Sequence, residues 1–109
     1  MGSTRDLKAG PLLMFGLGGI FVEIMKDVVF RVHPVTDVDA GEMVRGIRGY
    51  PLLEGVRDAA PVDVTALEEI IRRVSQMVGE LEAIEEMDIN PLAAFPDRVV
   101  ALDARFRIG

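Results

Sequence analysis

The dipeptide Pro96-Asp97 near the end of the chain is placed to turn two short segments, residues 86–95 and 98–106, back on each other. Pro96 suits the first central position of a type I turn. An antiparallel hairpin closed there sets each residue i opposite residue 193 minus i. A slip of one position would turn every side chain to the other face, so the turn constrains the whole segment. Asn90 then faces Asp103, and Asp88 faces Arg105 while sharing a face with Asn90. Opposed side chains lie within ~5.5 Å at Cβ, close enough for an amide and a carboxylate to share one hard cation. Magnesium favours such sites, taking one or two carboxylates and completing its shell with amide, water and phosphate oxygens. The competing reading is a plain exposed sheet face with Arg105 paired to Asp88, and spacing alone favours that one.

Upstream, residues 11–15 form a short apolar run, consistent with a buried strand entering Gly16-Leu17-Gly18-Gly19. Residues 20–25 alternate, Lys26-Asp27 reads as a tight turn, and residues 28–32 alternate again. This predicts a second hairpin in which Glu23 lies opposite Arg31. Thr36 suits a helix N-cap, with Asp37 and Asp39 well placed in the first turn. Met43, Val44 and Ile47 form the apolar stripe of that helix, which ends at Gly49 and Pro51. Residues 49–61 read as a loop. A longer helix follows, capped by Asp63 or by Thr65 in a capping box with Glu68. Its stripe is Leu67, Ile70, Ile71, Val74, Met77, Val78 and Leu81, and its charges Glu68, Glu69, Arg72 and Arg73 form a solvated face with ion pairs. The order β-β-β, α, α, β-β predicts an α+β fold, a mostly antiparallel sheet with two helices on one face. Residues 1–9 read as an N-terminal extension, with Met1-Gly2-Ser3 compatible with a tag remnant, and residues 10–109 as the domain.

The chain has 109 residues, one domain's worth, and half are hydrophobic, enough for one core. A net charge of −6 argues against nucleic-acid binding. It leaves room for an anionic nucleotide, because a bound metal inverts the local field. There is no cysteine, so disulfides and thiolate zinc sites are excluded and a cytoplasmic location is permitted. The longest uncharged run, residues 9–22, is interrupted by Gly10, Gly16, Gly18 and Gly19 and falls short of a membrane span. No signal-peptide pattern is present. His33 is the only histidine, so no zinc pair forms, and it reads as a surface residue without catalytic role. Gly16-Leu17-Gly18-Gly19 lacks the spacing of a Rossmann fingerprint or P-loop and, taken alone, reads as a turn or bulge. Glu23 interrupts an apolar face, where a carboxylate can orient a substrate or hold a cation; its bland alternative is a salt bridge to Arg31. What remains open is metal–carboxylate chemistry or none.

Gly10-Pro11-Leu12-Leu13-Met14-Phe15-Gly16-Leu17-Gly18-Gly19-Ile20-Phe21-Val22-Glu23, followed by Lys26-Asp27-Val28-Val29-Phe30-Arg31, resembles the ATP-grasp domain of NDP-forming (ADP-forming) acyl-CoA synthetases. Gly49-Tyr50-Pro51-Leu52-Leu53-Glu54-Gly55 is similar to the mid-domain loop of that family. Asp88-Ile89-Asn90-Pro91-Leu92 and Leu102-Asp103-Ala104-Arg105 resemble its closing motifs, shared in outline with succinyl-CoA synthetase β subunits. The likeness spans residues 5–106. It implies the second subdomain of an ATP-grasp fold, and a reversible ligase converting acyl-CoA, ADP and phosphate to acid, CoA and ATP through acyl-phosphate and phosphohistidine intermediates. It implies Mg²⁺ and ATP or ADP as cofactors, with Asn90 and Asp103 as metal ligands, Gly18 and Gly19 in cofactor binding and Glu23 in a catalytic place. It implies partners too: an N-terminal ATP-grasp half and a CoA-binding domain or subunit, together with a loop that carries the phosphorylated histidine. His33 does not match that histidine. On this reading the chain alone is inactive and self-associates through the surface its missing half would cover. The alternative from another class is a non-catalytic regulatory or assembly module, as in acyl-CoA-synthetase-like protein acetyltransferases.

Overall fold

The computed structural model describes residues 1–6, 8, 10–16, 27–55 and 60–109. Five strands form one antiparallel sheet: β1 (Gly2–Asp6), β2 (Gly10–Gly16), β3 (Val28–Val32), β4 (Ile84–Ile89) and β7 (Ala104–Ile108), in the order β3-β2-β1-β4-β7. A separate pair, β5 (Leu92–Ala94) and β6 (Val99–Ala101), forms a small second sheet. Three helical segments lie between β3 and β4: α1 (Asp37–Gly46), the single turn α2 (Tyr50–Leu53) and α3 (Val64–Glu80).

Alternation along β2 sends Leu13 and Phe15 into the core and leaves Leu12 and Met14 on the other face. Register carries that division across the sheet. Ser3 lies beside both Leu13 and Met87, and Val29 beside Phe15, so these residues share the core face. Both long helices cover that face. Met43 and Val44 from α1, and Leu67, Ile71, Val74 and Val78 from α3, are buried with Leu13, Phe15 and Met87. The fold is therefore the α+β arrangement expected, one mostly antiparallel sheet with two principal helices on one face.

The first helix begins as its sequence predicts. Thr36 Oγ1 accepts the Asp39 N–H at 3.1 Å, and the Asp39 carboxylate accepts the Thr36 N–H at 3.1 Å, a reciprocal capping box. The second cap resolves the choice left open, because Asp63 rather than Thr65 accepts the Ala66 N–H at 3.0 Å. Thr65 lies inside α3, and Glu68 reaches instead toward Arg45 on α1 at 3.5 Å. Arg73 and Glu69 form the expected helical ion pair at 2.7 Å.

Three expectations change, and a fourth falls on residues that are not described. Residues 2–6, read as part of an extension, are the middle strand of the sheet, with Ser3 buried. Gly and Ser are weak strand formers, so only pairing on both sides reveals this segment. Residues 28–32 pair with β2, and Arg31 meets Glu42 on α1 at 3.5 Å. The partner strand expected at residues 20–25 lies outside the described residues, as do Gly18, Gly19 and Glu23. Pro51, read as a helix stop, lies in the first turn of α2, where its missing N–H costs nothing. His33 is not a free surface residue. Its Nδ1 lies 3.1 Å from Ser75 Oγ, which also accepts the Val35 N–H at 2.9 Å, and its ring packs on Gly79 of α3.

Candidate metal–nucleotide site

The register set by Pro96-Asp97 runs through both sheets. Glu86 faces Arg107, Asp88 faces Arg105, and Leu92 faces Ala101, all partners whose numbers sum to 193. Asn90 and Asp103 stand opposite each other as expected: the Asn90 N–H donates to the Asp103 carbonyl at 3.1 Å, and the Leu102 N–H donates to the Pro91 carbonyl at 3.0 Å.

The hairpin is not one continuous pair, however. It changes sheets at this junction, β4 and β7 lying in the main sheet and β5 and β6 in the small one. Pro91 has no N–H with which to extend the ladder. Beyond it, Leu92, Ala94 and Val99 pack against the core. The Phe95 carbonyl accepts the Asp63 N–H at 2.8 Å, which ties the arm to the start of α3. Arg98 stacks over the Phe95 ring at 4.8 Å and closes the tip. Asn90 and Asp103 therefore sit at the bend between two sheets, where the side chains are open to solvent.

Arg105 departs from its expected partner. Its Nε lies 3.7 Å from Oδ2 of Asp103, just before its own strand, rather than pairing with Asp88. Both groups are well exposed, so the pair is worth ~1 kcal/mol or less and gives way readily to a divalent ion. Beside the bend lies a cleft of ≈ 580 Å³ lined by Phe15, Gly16, Leu53, Leu67, Asn90 and Leu92 among others. Its wall is largely apolar, with the Asn90 amide at one margin. Among the described residues no three His, Cys, Asp or Glu side chains are grouped to hold a metal. A hard cation here would find the Asn90 amide and the Asp103 carboxylate as oxygen donors and would complete its shell from outside the chain. Those are hard oxygen donors with open coordination positions, and they fit Mg²⁺ carried in with a phosphate ligand.

One buried group escaped the sequence reading. Asp27, read as the tip of a tight turn, is 6 % exposed, and its carboxylate accepts the backbone N–H groups of Arg48 and Gly49. Nothing local announces this bond, because its donors lie more than twenty positions away.

A family model described as an ATP-grasp domain matches residues 1–108. The chain belongs to the ATP-grasp family. This ATP-grasp chain is 53 % identical over 105 residues to the β subunit of ADP-forming acetate–CoA ligase I of Pyrococcus furiosus, a match covering 96 % of the chain and 45 % of that subunit. It is 39 % identical over 109 residues to ADP-forming acetate–CoA ligase I of Archaeoglobus fulgidus, covering 100 % of the chain and 16 % of that protein. It superposes on the apo form of dinucleotide forming acetyl-coenzyme A synthetase 1 of Ca. Korarchaeum cryptofilum with a TM-score of 0.95 and 42 % identity, covering 99 % of the chain and 51 % of that one. Another structure of that synthetase, also at a TM-score of 0.95, holds coenzyme A and Mg-AMPPCP. The ATP-grasp chain thus spans about half, or less, of the length of the relatives it matches. The likeness to ADP-forming acyl-CoA synthetases holds along its whole length. No helix among its described residues is long and apolar enough to cross a membrane.

Proposed function

We propose that this chain is the magnesium-binding wall of the nucleotide site in an ADP-forming acyl-CoA synthetase, which converts acyl-CoA, ADP and phosphate reversibly to acid, CoA and ATP. The observation that carries the reading is the direct opposition of Asn90 and Asp103 at the bend between the sheets. Asn90 and Asp103 would hold the ion, and Mg²⁺ held there would supply positive charge to offset that of nucleotide phosphates. Both residues are exposed, and the cleft that Asn90 lines offers a largely apolar wall for the remainder of a nucleotide. Gly18 and Gly19, for cofactor contact, and Glu23, as a catalytic carboxylate, complete the assignment on the strength of the sequence resemblance.

The remaining parts come from an N-terminal ATP-grasp half and a CoA-binding domain or subunit, in the cytoplasm. One wall cannot exclude water or hold two phosphates in line, so the chain alone is inactive. It also self-associates, since Phe30, Val32, Phe106 and Ile108 leave large apolar side chains half exposed or more. A strict monomer in the ultracentrifuge at high concentration would count against that.

The test assembles the chain with its N-terminal half and CoA-binding domain and measures ADP- and phosphate-dependent thioester cleavage against Mg²⁺ concentration. Asn90→Ala and Asp103→Ala should each cut activity by about a hundredfold or more and raise the Mg²⁺ needed for half-maximal rate. Full activity in both variants refutes the metal assignment and leaves the non-catalytic module as the better reading.

A further inference from the structure

Asp27 is a buried carboxylate with no cationic partner among the described residues, and its two oxygens go to the backbone N–H groups of Arg48 and Gly49. Such charge-assisted bonds hold a turn more firmly than neutral ones. The same residue also touches a residue that lines the cleft. Gly16, which lines it, packs so closely on the Asp27 carbonyl that a Cβ there would collide with it. On the other side, Gly49 is the N-cap of α2, and Leu53 at the end of α2 lines the same cleft. Asp27 therefore ties the β2 end of the cleft to its α2 wall.

The turn it holds carries Arg48, whose side chain is exposed. Arg31, Arg45, Arg73, Arg98, Arg105 and Arg107 each lie within 4 Å of a carboxylate. Among the described residues Arg48 has neither a carboxylate nor a carbonyl partner for its guanidinium. A guanidinium without a carboxylate partner, carried on a turn whose backbone is fixed from below, is available to pair with an anion through its planar fork of donors.

We infer that Asp27 is a positioning residue that, through the turn at residues 48–49, holds Arg48 at the entrance to α2, the helical turn whose far end lines the cleft, to contact a phosphate group of a substrate. The inference rests on the proposed synthetase reading, whose substrates ADP, phosphate and CoA all carry phosphate. In the assembled enzyme, Arg48→Ala raises KM for at least one of the three by about tenfold. It leaves the melting temperature and the Mg²⁺ requirement unchanged, and Arg48→Lys recovers part of the loss. Asp27→Asn keeps the volume and one acceptor oxygen. It raises the same KM and lowers the melting temperature, and in the Arg48→Ala background it adds no further rise in KM. Arg72→Ala, which removes another exposed arginine on α3, changes none of the three. Measuring each KM separately identifies which substrate supplies the phosphate.

All three KM values within twofold of the parent for Arg48→Ala overturn the contact. A fall in melting temperature without a change in KM for Asp27→Asn shows a purely structural carboxylate and overturns the positioning role. Failure of the synthetase reading looks different, since it would leave Asn90→Ala and Asp103→Ala fully active.

Discussion

Arg5 reaches from the central strand to the end of α3, donating from Nη2 to the Val78 carbonyl at 2.7 Å and from Nε to the Ile84 carbonyl at 3.3 Å. A guanidinium there satisfies carbonyls the helix leaves unpaired and sits at the negative end of its dipole. Arg5→Met should lower stability by about 1.5–3 kcal/mol in urea unfolding. Arg5→Lys should recover less than half, because an ammonium cannot fork between two carbonyls. At the other kind of helix end, the Thr36 backbone N–H and then its hydroxyl hold the Asp39 carboxyl below its usual value of 3.8. A depressed carboxyl contributes stability that is present above its unfolded pKa and is lost as pH falls through the lower folded value. Thr36→Ala should move the Asp39 midpoint up toward 3.8, as followed by carbon NMR, and an unmoved midpoint would refute the assignment. The Thr36 cap was legible in the sequence because its partner lies three residues on. The His33–Ser75 contact was not, since 42 positions separate its ends.

At the scale of elements, α3 shows how a neighbour can reverse a local preference. Ala in place of Gly inside a helix normally gains about 1 kcal/mol. A Cβ at Gly79 would strike the His33 ring, which Ser75 holds from the side. Gly79→Ala should therefore leave the melting temperature level or lower, whereas in a His33→Ala background it should regain the full helix gain. Equal effects in the two backgrounds would show that the ring moves aside freely. The closing hairpin gives the opposite lesson. Its register was readable from Pro96-Asp97, because a short turn fixes pairing along both strands. Its division into two sheets was not, because that depends on Leu92, Ala94 and Val99 finding the core and on Phe95 meeting Asp63.

Across the whole molecule, one core joins the sheet to both long helices, and Leu13, Met43 and Ile71 are fully enclosed in it. Ile71→Ala should cost about 2–5 kcal/mol, a large part of the 5–15 kcal/mol typical of a domain. Urea unfolding that shows a loss under about 1 kcal/mol would mean the site collapses around the smaller side chain. Periodicity of two and of 3.6, the Thr36 cap and one turn determined the two long helices, the strand at residues 10–16, most of the buried stripes and the facing of Asn90 with Asp103. These are local rules, acting over a few residues or propagated from a single turn. Only the tertiary structure decided that residues 2–6 are the middle strand, that the hairpin bends at Asn90 and Asp103, and that Asp27 grips a turn 21 residues away. Each depends on hydrogen bonds and burial between segments distant in sequence, which exist only once the chain has closed on its core.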